Sequence, residues 1–191
     1  MVQRESALLR IKDRKELIVY ADGLVLDVGV KDAYPWGRVK DGYLSCDLPE
    51  NVIGLDLDIW KHKNFVQGDA RCLPFRDKVF NVVILMELLE HVKPDDRMSV
   101  ISEVLRVCSK RVIISVPDRD PRNLMPDPNW CFRHPKFRKA LTTPELHEHK
   151  LEWMFDLEGL LRMVGLMKPR DYRLFRIENE YYSGYGAVVD L

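Results

Sequence analysis

Two runs of aliphatic and β-branched residues, "KVFNVVILME" (78–87) and "RVIISVP" (111–117), constrain this chain more than anything else in it. Each is strand-sized, and each is apolar nearly throughout, whereas a strand with one face in water would alternate. Between them the period changes. In "PDDRMSVISEVLRVCSK", Met98, Ile101, Val104, Leu105 and Cys108 recur at helical spacing, behind two aspartates placed for a helix N-terminus. A strand, a helix and a second strand, with both strands buried on two faces, describe a parallel crossover unit.

The rest of the chain extends that unit. "GLVLDVG" (23–29), "NVIGLDL" (51–57) and "NFVQGD" (64–69) read as three further strands. Leu8, Leu9, Leu17 and Ile18 lie among charges over residues 5–19, which predicts an amphipathic N-terminal helix within residues 1–20. "DLEGLLRMVG" (156–165) predicts another, with Asp156 as N-cap and Gly165 as C-cap. "DYRLFRIENEYYSGYGAVVDL" predicts two last strands joined by a turn containing Ser183 and Gly184; with no helical pattern between them, they form an antiparallel hairpin. The expected fold class is α/β: a doubly wound, mostly parallel sheet with a C-terminal antiparallel hairpin, in a single domain over residues 1–191. Residues 118–150 carry five prolines and no regular period, and are expected to form a lid over the substrate.

Composition narrows the class of partner. Lys and Arg together number 30, as do Asp and Glu, so the chain presents no dominant phosphate-neutralising charge. The segment 118–139 is locally basic, with Trp130, Phe132 and Phe137 interleaved; the favoured reading is a solvated lid anchored by its aromatics rather than a nucleic-acid surface. The longest apolar runs fall far short of the ~20 residues of a membrane span. The charged N-terminus does not read as a signal peptide. Four cysteines without a C-x-x-C pair suit a reduced, cytoplasmic protein. Cys131-x-x-His134 with His147 and His149 lacks the spacing of a zinc finger, and no metal is expected.

In open sheets of this kind ligands bind beyond the carboxyl ends of the strands. There the sequence places Asp27-Val28-Gly29, then Asp56 with Asp58 just beyond, then Asp69 followed by "ARCLPF", then Met86-Glu87 followed by "LLEHV". A glycine lets a ligand approach the backbone. A carboxylate after the second of these strands can accept both ribose hydroxyl protons, and one after the third can accept from an exocyclic amino group. Aspartate is also ordinary turn chemistry at a strand end, and His91 can equally be a capping or surface histidine. No P-loop is present, so the ligand expected is a nucleoside without a phosphate chain. Nor is there a G-x-G-x-x-G, which argues against a nicotinamide oxidoreductase.

These stretches resemble the class I S-adenosylmethionine (SAM) dependent methyltransferases, in particular the group with the type 11 methyltransferase domain. The match is carried by "VLDVG", "VIGLDLD", "VQGDARCLPF", "VFNVVILMELLEHV", "EVLRVCSKRVIISVP" and "DLEGLLRMVGL". The resemblance implies a seven-stranded sheet with its last strand antiparallel, and SAM as cofactor. It implies that Asp27, Val28 and Gly29 line the methionine part, that Asp56 and Leu57 meet the ribose, that Asp69 and Ala70 flank the adenine, and that Leu85, Met86 and Glu87 border the methionine portion and face the substrate. His91 matches a histidine often found in "LEHV", and with Glu87 is the candidate catalytic base. After Gly29 the chain departs from the family pattern: Pro35, Gly37 and Gly42 disfavour the usual helix, and a loop from Val30 to Asn51 is expected instead, leaving the methionine end more open. "LMEL" stands where amino-group methylases of bases carry an "NPPY"-like motif, and no cysteine has the "PC" setting of cytosine-C5 methylases. The acceptor expected is a small molecule, lipid or sugar rather than nucleic acid. The alternative is a methyltransferase fold without catalysis, serving as a binding or regulatory protein.

Overall fold

The computed structural model describes residues 8–30, 38–40, 43–45, 48–58, 62–120, 154–179 and 182–191. Ten strands are present among them: β1 (Leu9–Ile11), β2 (Val25–Val28), β3 (Arg38–Lys40), β4 (Tyr43–Ser45), β5 (Val52–Asp56), β6 (Phe65–Gln67), β7 (Phe80–Met86), β8 (Cys108–Pro117), β9 (Asp171–Glu178) and β10 (Ser183–Asp190). Two α-helices accompany them, α1 (Arg97–Val107) and α2 (Leu157–Leu166). Eight strands form one sheet in the order β1-β9-β10-β8-β7-β2-β5-β6, and β3 pairs with β4 in a separate ribbon. Every pairing from β6 across to β8 is parallel; β10 runs antiparallel to both β8 and β9, which gives the expected C-terminal hairpin.

The continuous apolar strands are explained by burial on both faces. Leu26, Val83, Leu85, Val112 and Ile114 point to one side, where Val100, Ile101, Val104 and Val107 of α1 and Leu160, Met163 and Val164 of α2 cover them. Their neighbours Val25, Val82, Ile84 and Ile113 point to the other side, where they join Leu17, Val30 and Leu48. α2 starts as its sequence predicts, with the Asp156 carboxylate accepting from the Gly159 N–H at 2.7 Å.

Several expectations are corrected. The N-terminal segment is not one amphipathic helix: Leu9–Ile11 is an edge strand, and Arg14–Tyr20 is a 3-10 helix started by a capping box between Asp13 and Glu16. The spacing of Leu8, Leu9, Leu17 and Ile18 fits both arrangements, and pairing of β1 with the distant β9 decides between them. The sheet therefore has eight strands rather than seven. Cys108 is not the last residue of a helical face but the first of β8, so α1 passes into the strand with no loop between. α2 runs through Gly165 to Leu166, and the left-handed residue beyond its end is Lys168, at φ 52°. Ser183 and Gly184 belong to β10 instead of a turn. Between Gly29 and Asn51, where a loop was expected, β3 and β4 form a two-stranded ribbon. The candidate lid lies outside the described residues from 121 to 150, as do Cys131, His134, His147 and His149.

Candidate functional site

The strands from β6 to β8 end along one edge of the sheet, and their terminal residues build the site. Gly29 follows the last residue of β2, and its φ is 85°. The backbone conformation favours glycine, and an added Cβ would stand 3.0 Å from Leu88 Cδ1, which would have to shift. The Gly29 N–H donates to the Leu55 carbonyl at 2.8 Å, which ties this turn to β5. β5 ends at Asp56, whose Oδ1 accepts from the Asp58 N–H at 3.1 Å and so reverses the chain. β6 leads through Gly68 to Asp69 and Ala70.

The loop carrying Asp69 is stitched to α1. Glu103 accepts from the Leu73 N–H at 2.7 Å, and Arg106 donates to the carbonyls of Leu73 and Phe75, to Asp77 and to Glu103. The Arg106 side chain thereby holds the Glu103 carboxyl below its ordinary range. Asp69 is held low in the same way by the Arg71 guanidinium and the Arg71 N–H. β7 ends at Met86, and Glu87 follows with φ 55°, uncommon for a residue with a side chain. Its Oε1 accepts from Ser115 Oγ at 2.9 Å and from the Tyr182 hydroxyl at 2.8 Å.

A cavity of about 420 Å³ opens above these ends. Val28, Gly29, Asp56, Leu57, Asp69, Ala70 and His91, all singled out in the sequence, are on its wall. Asp27, Leu85, Met86 and Glu87 are not. Asp27 is only 2% exposed within β2, and Leu85 and Met86 are packed into the two faces of the sheet. The wall also contains residues that the sequence reading did not select. Leu88 and Val92 come from the turn after β7; Lys93, Asp96 and Val100 come from the approach to α1 and its first turn; Arg71 follows Ala70. Only a glycine flanked by a left-handed turn could have pointed to Leu88, whereas the residues of α1 reach the cavity through the way the helix crosses the strand ends. His91 is exposed on the outer side, and its Nε2 stands 3.9 Å from Oε1 of Glu90, which is fully buried. Arg97 lies behind: it donates to the carbonyls of Leu89 and Val92 and covers the Phe155 ring at 4.3 Å, and burial pushes its guanidinium below its ordinary value against the opposing charge of Glu90.

A second, smaller cavity of about 280 Å³ lies at the end of β8, lined by Asp118, Arg119, Asp120, Phe155, Asp156 and Tyr185. Asp118 is fixed there by Ser183 Oγ at 2.7 Å and by Arg176 of β9, whose guanidinium also covers the Tyr185 ring at 4.8 Å.

The family model described as a methyltransferase domain matches residues 26–116, from within β2 to near the end of β8. Over these residues the chain matches the methyltransferase domain, on the fold of the SAM-dependent methyltransferases. The strand order agrees: β6-β5-β2-β7-β8-β10-β9 with β10 antiparallel is the seven-stranded arrangement that the resemblance implied, and β1 adds an edge. A SAM-dependent methyltransferase from Methanosarcina mazei superposes with a TM-score of 0.58 at 15% identity, over 95% of this chain and 98% of that one. A SAM-dependent methyltransferase from Thermotoga maritima, described as a possible histamine N-methyltransferase, gives 0.59 at 13% identity, over 93% and 87%. Magnesium protoporphyrin IX methyltransferase from Synechocystis PCC 6803, with bound S-adenosylhomocysteine, gives 0.53 at 14%, over 92% and 79%. No curated protein matches the sequence. The fold is that of the SAM-dependent methyltransferases, and the matched domain is a methyltransferase domain.

Proposed function

We propose that the methyltransferase domain holds SAM in the 420 Å³ cavity and serves an acceptor that is a small molecule, lipid or sugar rather than a nucleic acid. The observation that carries this reading is the chemistry of the cavity wall. Its volume is in the range of small-molecule sites. Gly29 offers bare backbone, Asp56 offers a carboxylate for ribose hydroxyls, and Leu57, Ala70, Leu88 and Val92 offer apolar surface for a base. Its cations are Lys93 and Arg71, and Arg71 is neutralised by two aspartates, so the wall suits a nucleoside better than a phosphate chain. SAM supplies an activated methyl group on a sulfonium.

The chain's own contribution is then to orient the acceptor, exclude water and, for an acceptor protonated at neutral pH, take up its proton. Glu87 and His91 are the two candidates. Glu87 is fixed at the end of β7 by Ser115 and Tyr182, and His91 belongs to the cavity wall. Among the described residues, three carboxylates and one guanidinium line the second cavity, which supports an acceptor without a phosphate backbone.

Replacing Asp56 tests the cofactor site. Asp56→Ala is expected to weaken SAM by about 1.5–3 kcal/mol, the scale of hydrogen bonds to a charged group. Calorimetry measures this directly, with the melting temperature as a control for folding. Unchanged affinity in a folded variant removes the assignment.

A further inference from the structure

Asp69 was expected to accept from the amino group of a base, yet its carboxylate is already occupied. The Arg71 N–H donates to Oδ1 at 2.8 Å, Arg71 Nε donates to Oδ1 and Oδ2 at 3.1 Å each, and Arg71 Nη2 donates to Oδ2 at 2.7 Å. A carboxylate offers about four lone-pair sites. Both oxygens are thus engaged by Arg71, through its backbone N–H and its guanidinium, and an entering amino group must compete with that side chain for its place on the carboxylate.

Arg71 has a second place to go. Its Nη1 donates to Asp96 Oδ2 at 3.0 Å. Asp96 stands at the N-cap of α1, but its carboxylate makes no capping hydrogen bond and is turned to Arg71 instead. Asp69, Arg71 and Asp96 all line the same cavity, so the guanidinium bridges its two rims, from the loop after β6 to the start of α1. The Arg71 side chain is 50% exposed, and ion pairs in that setting are weak and readily exchanged.

We propose that Arg71 is a latch on the cofactor cavity, closed across Asp69 and Asp96 in the free protein and held by Asp96 alone when an amino-bearing base takes its place on Asp69. The proposal rests on the reading that the cavity receives the adenosine half of SAM. Arg71 then sets specificity, because its displacement is repaid only by a base with an exocyclic amino group to give Asp69. It also makes entry depend on ionic strength, because salt weakens the closed pair.

Adenosine and inosine, measured by calorimetry, separate the possibilities. Both are neutral, so removing a cation does not alter their attraction to the site, as it would for the sulfonium of SAM; inosine lacks the amino group. Arg71→Ala and Arg71→Gln are expected to tighten adenosine by roughly two- to fivefold, the gain from removing one exposed ion pair, and to leave inosine unchanged. Adenosine affinity should rise with salt in the wild type and lose that dependence in both variants. Adenosine that binds more weakly or equally well in both folded Arg71 variants, or that changes in step with inosine, overturns the latch. Failure of the wild type to bind adenosine, together with SAM binding indifferent to Asp56→Ala, overturns instead the cofactor-site reading beneath it.

Discussion

At the scale of single residues, Gly29 and Val30 show how adjacent positions divide the work. Gly29 combines a φ of 85° with a Leu88 contact that would have to give way to a Cβ. Gly29→Ala is expected to cost about 1–2 kcal/mol in backbone strain and to push Leu88 into the cavity, so SAM affinity should fall along with the melting temperature. Adding Leu88→Ala should recover affinity more than stability, because it relieves the contact and not the dihedral. A Gly29→Ala protein with wild-type stability would show that the turn tolerates a side chain. Val30 faces the other way. It stands where the expected loop begins, and it is fully buried in the second core, under Gly54. Aspartates and glycines at strand ends were legible because a strand end is a local event. The occupancy of Asp69 by Arg71 was not, since one residue after Ala70 an arginine reads as surface charge unless the fold of the loop is known.

At the scale of elements, β2 and β5 are joined by the same Val30. An added Cβ on Gly54 would meet Val30 Cγ1 at 2.6 Å and Leu48 Cδ1 at 3.0 Å. Gly54→Ala is therefore expected to destabilise by about 1–3 kcal/mol, as overpacked cores do, and Val30→Ala should return part of that loss in the double variant. Urea unfolding of the four proteins measures the coupling, and strict additivity would show that the two side chains do not compete. The central strands and both helices could be read from period alone, and the Asp156 cap from its residue type. The elements that escaped are short: β3, β4 and, in the main sheet, β1. Three residues have too little pattern of their own, and the strand conformation of β1 comes from Phe175, Arg176 and Ile177, more than 160 positions along the chain. The stop of α2 was misread for a related reason: Gly165 is a permissive residue, but the chain turns where Met167 packs into the core and Lys168 takes the left-handed conformation.

At the scale of the whole molecule, carboxylates held by neighbouring cations set the response to acid. Asp22 is held low by Lys110, Asp69 by Arg71 and Glu103 by Arg106, from ordinary values of 3.8, 3.8 and 4.5. A carboxyl lowered on folding contributes stability above its unfolded value and loses it as pH falls through the folded one. The urea midpoint is thus expected to decline as pH drops below about 4.5 and to decline less steeply in Glu103→Gln; a midpoint that rises on acidification would contradict the pairing. Sheet order has a consequence of a different kind, in time. Among the described strands, β1 pairs only with β9, and β9 reaches the rest of the sheet only through β10. During synthesis β2, β5, β6, β7 and β8 can associate as they emerge. Leu9–Ile11, made before any of them, must wait for Asp171–Glu178 and Ser183–Asp190 to leave the ribosome. The earliest strand of the sheet is the last to be built in, and until then it stays open to chaperones and to neighbouring chains.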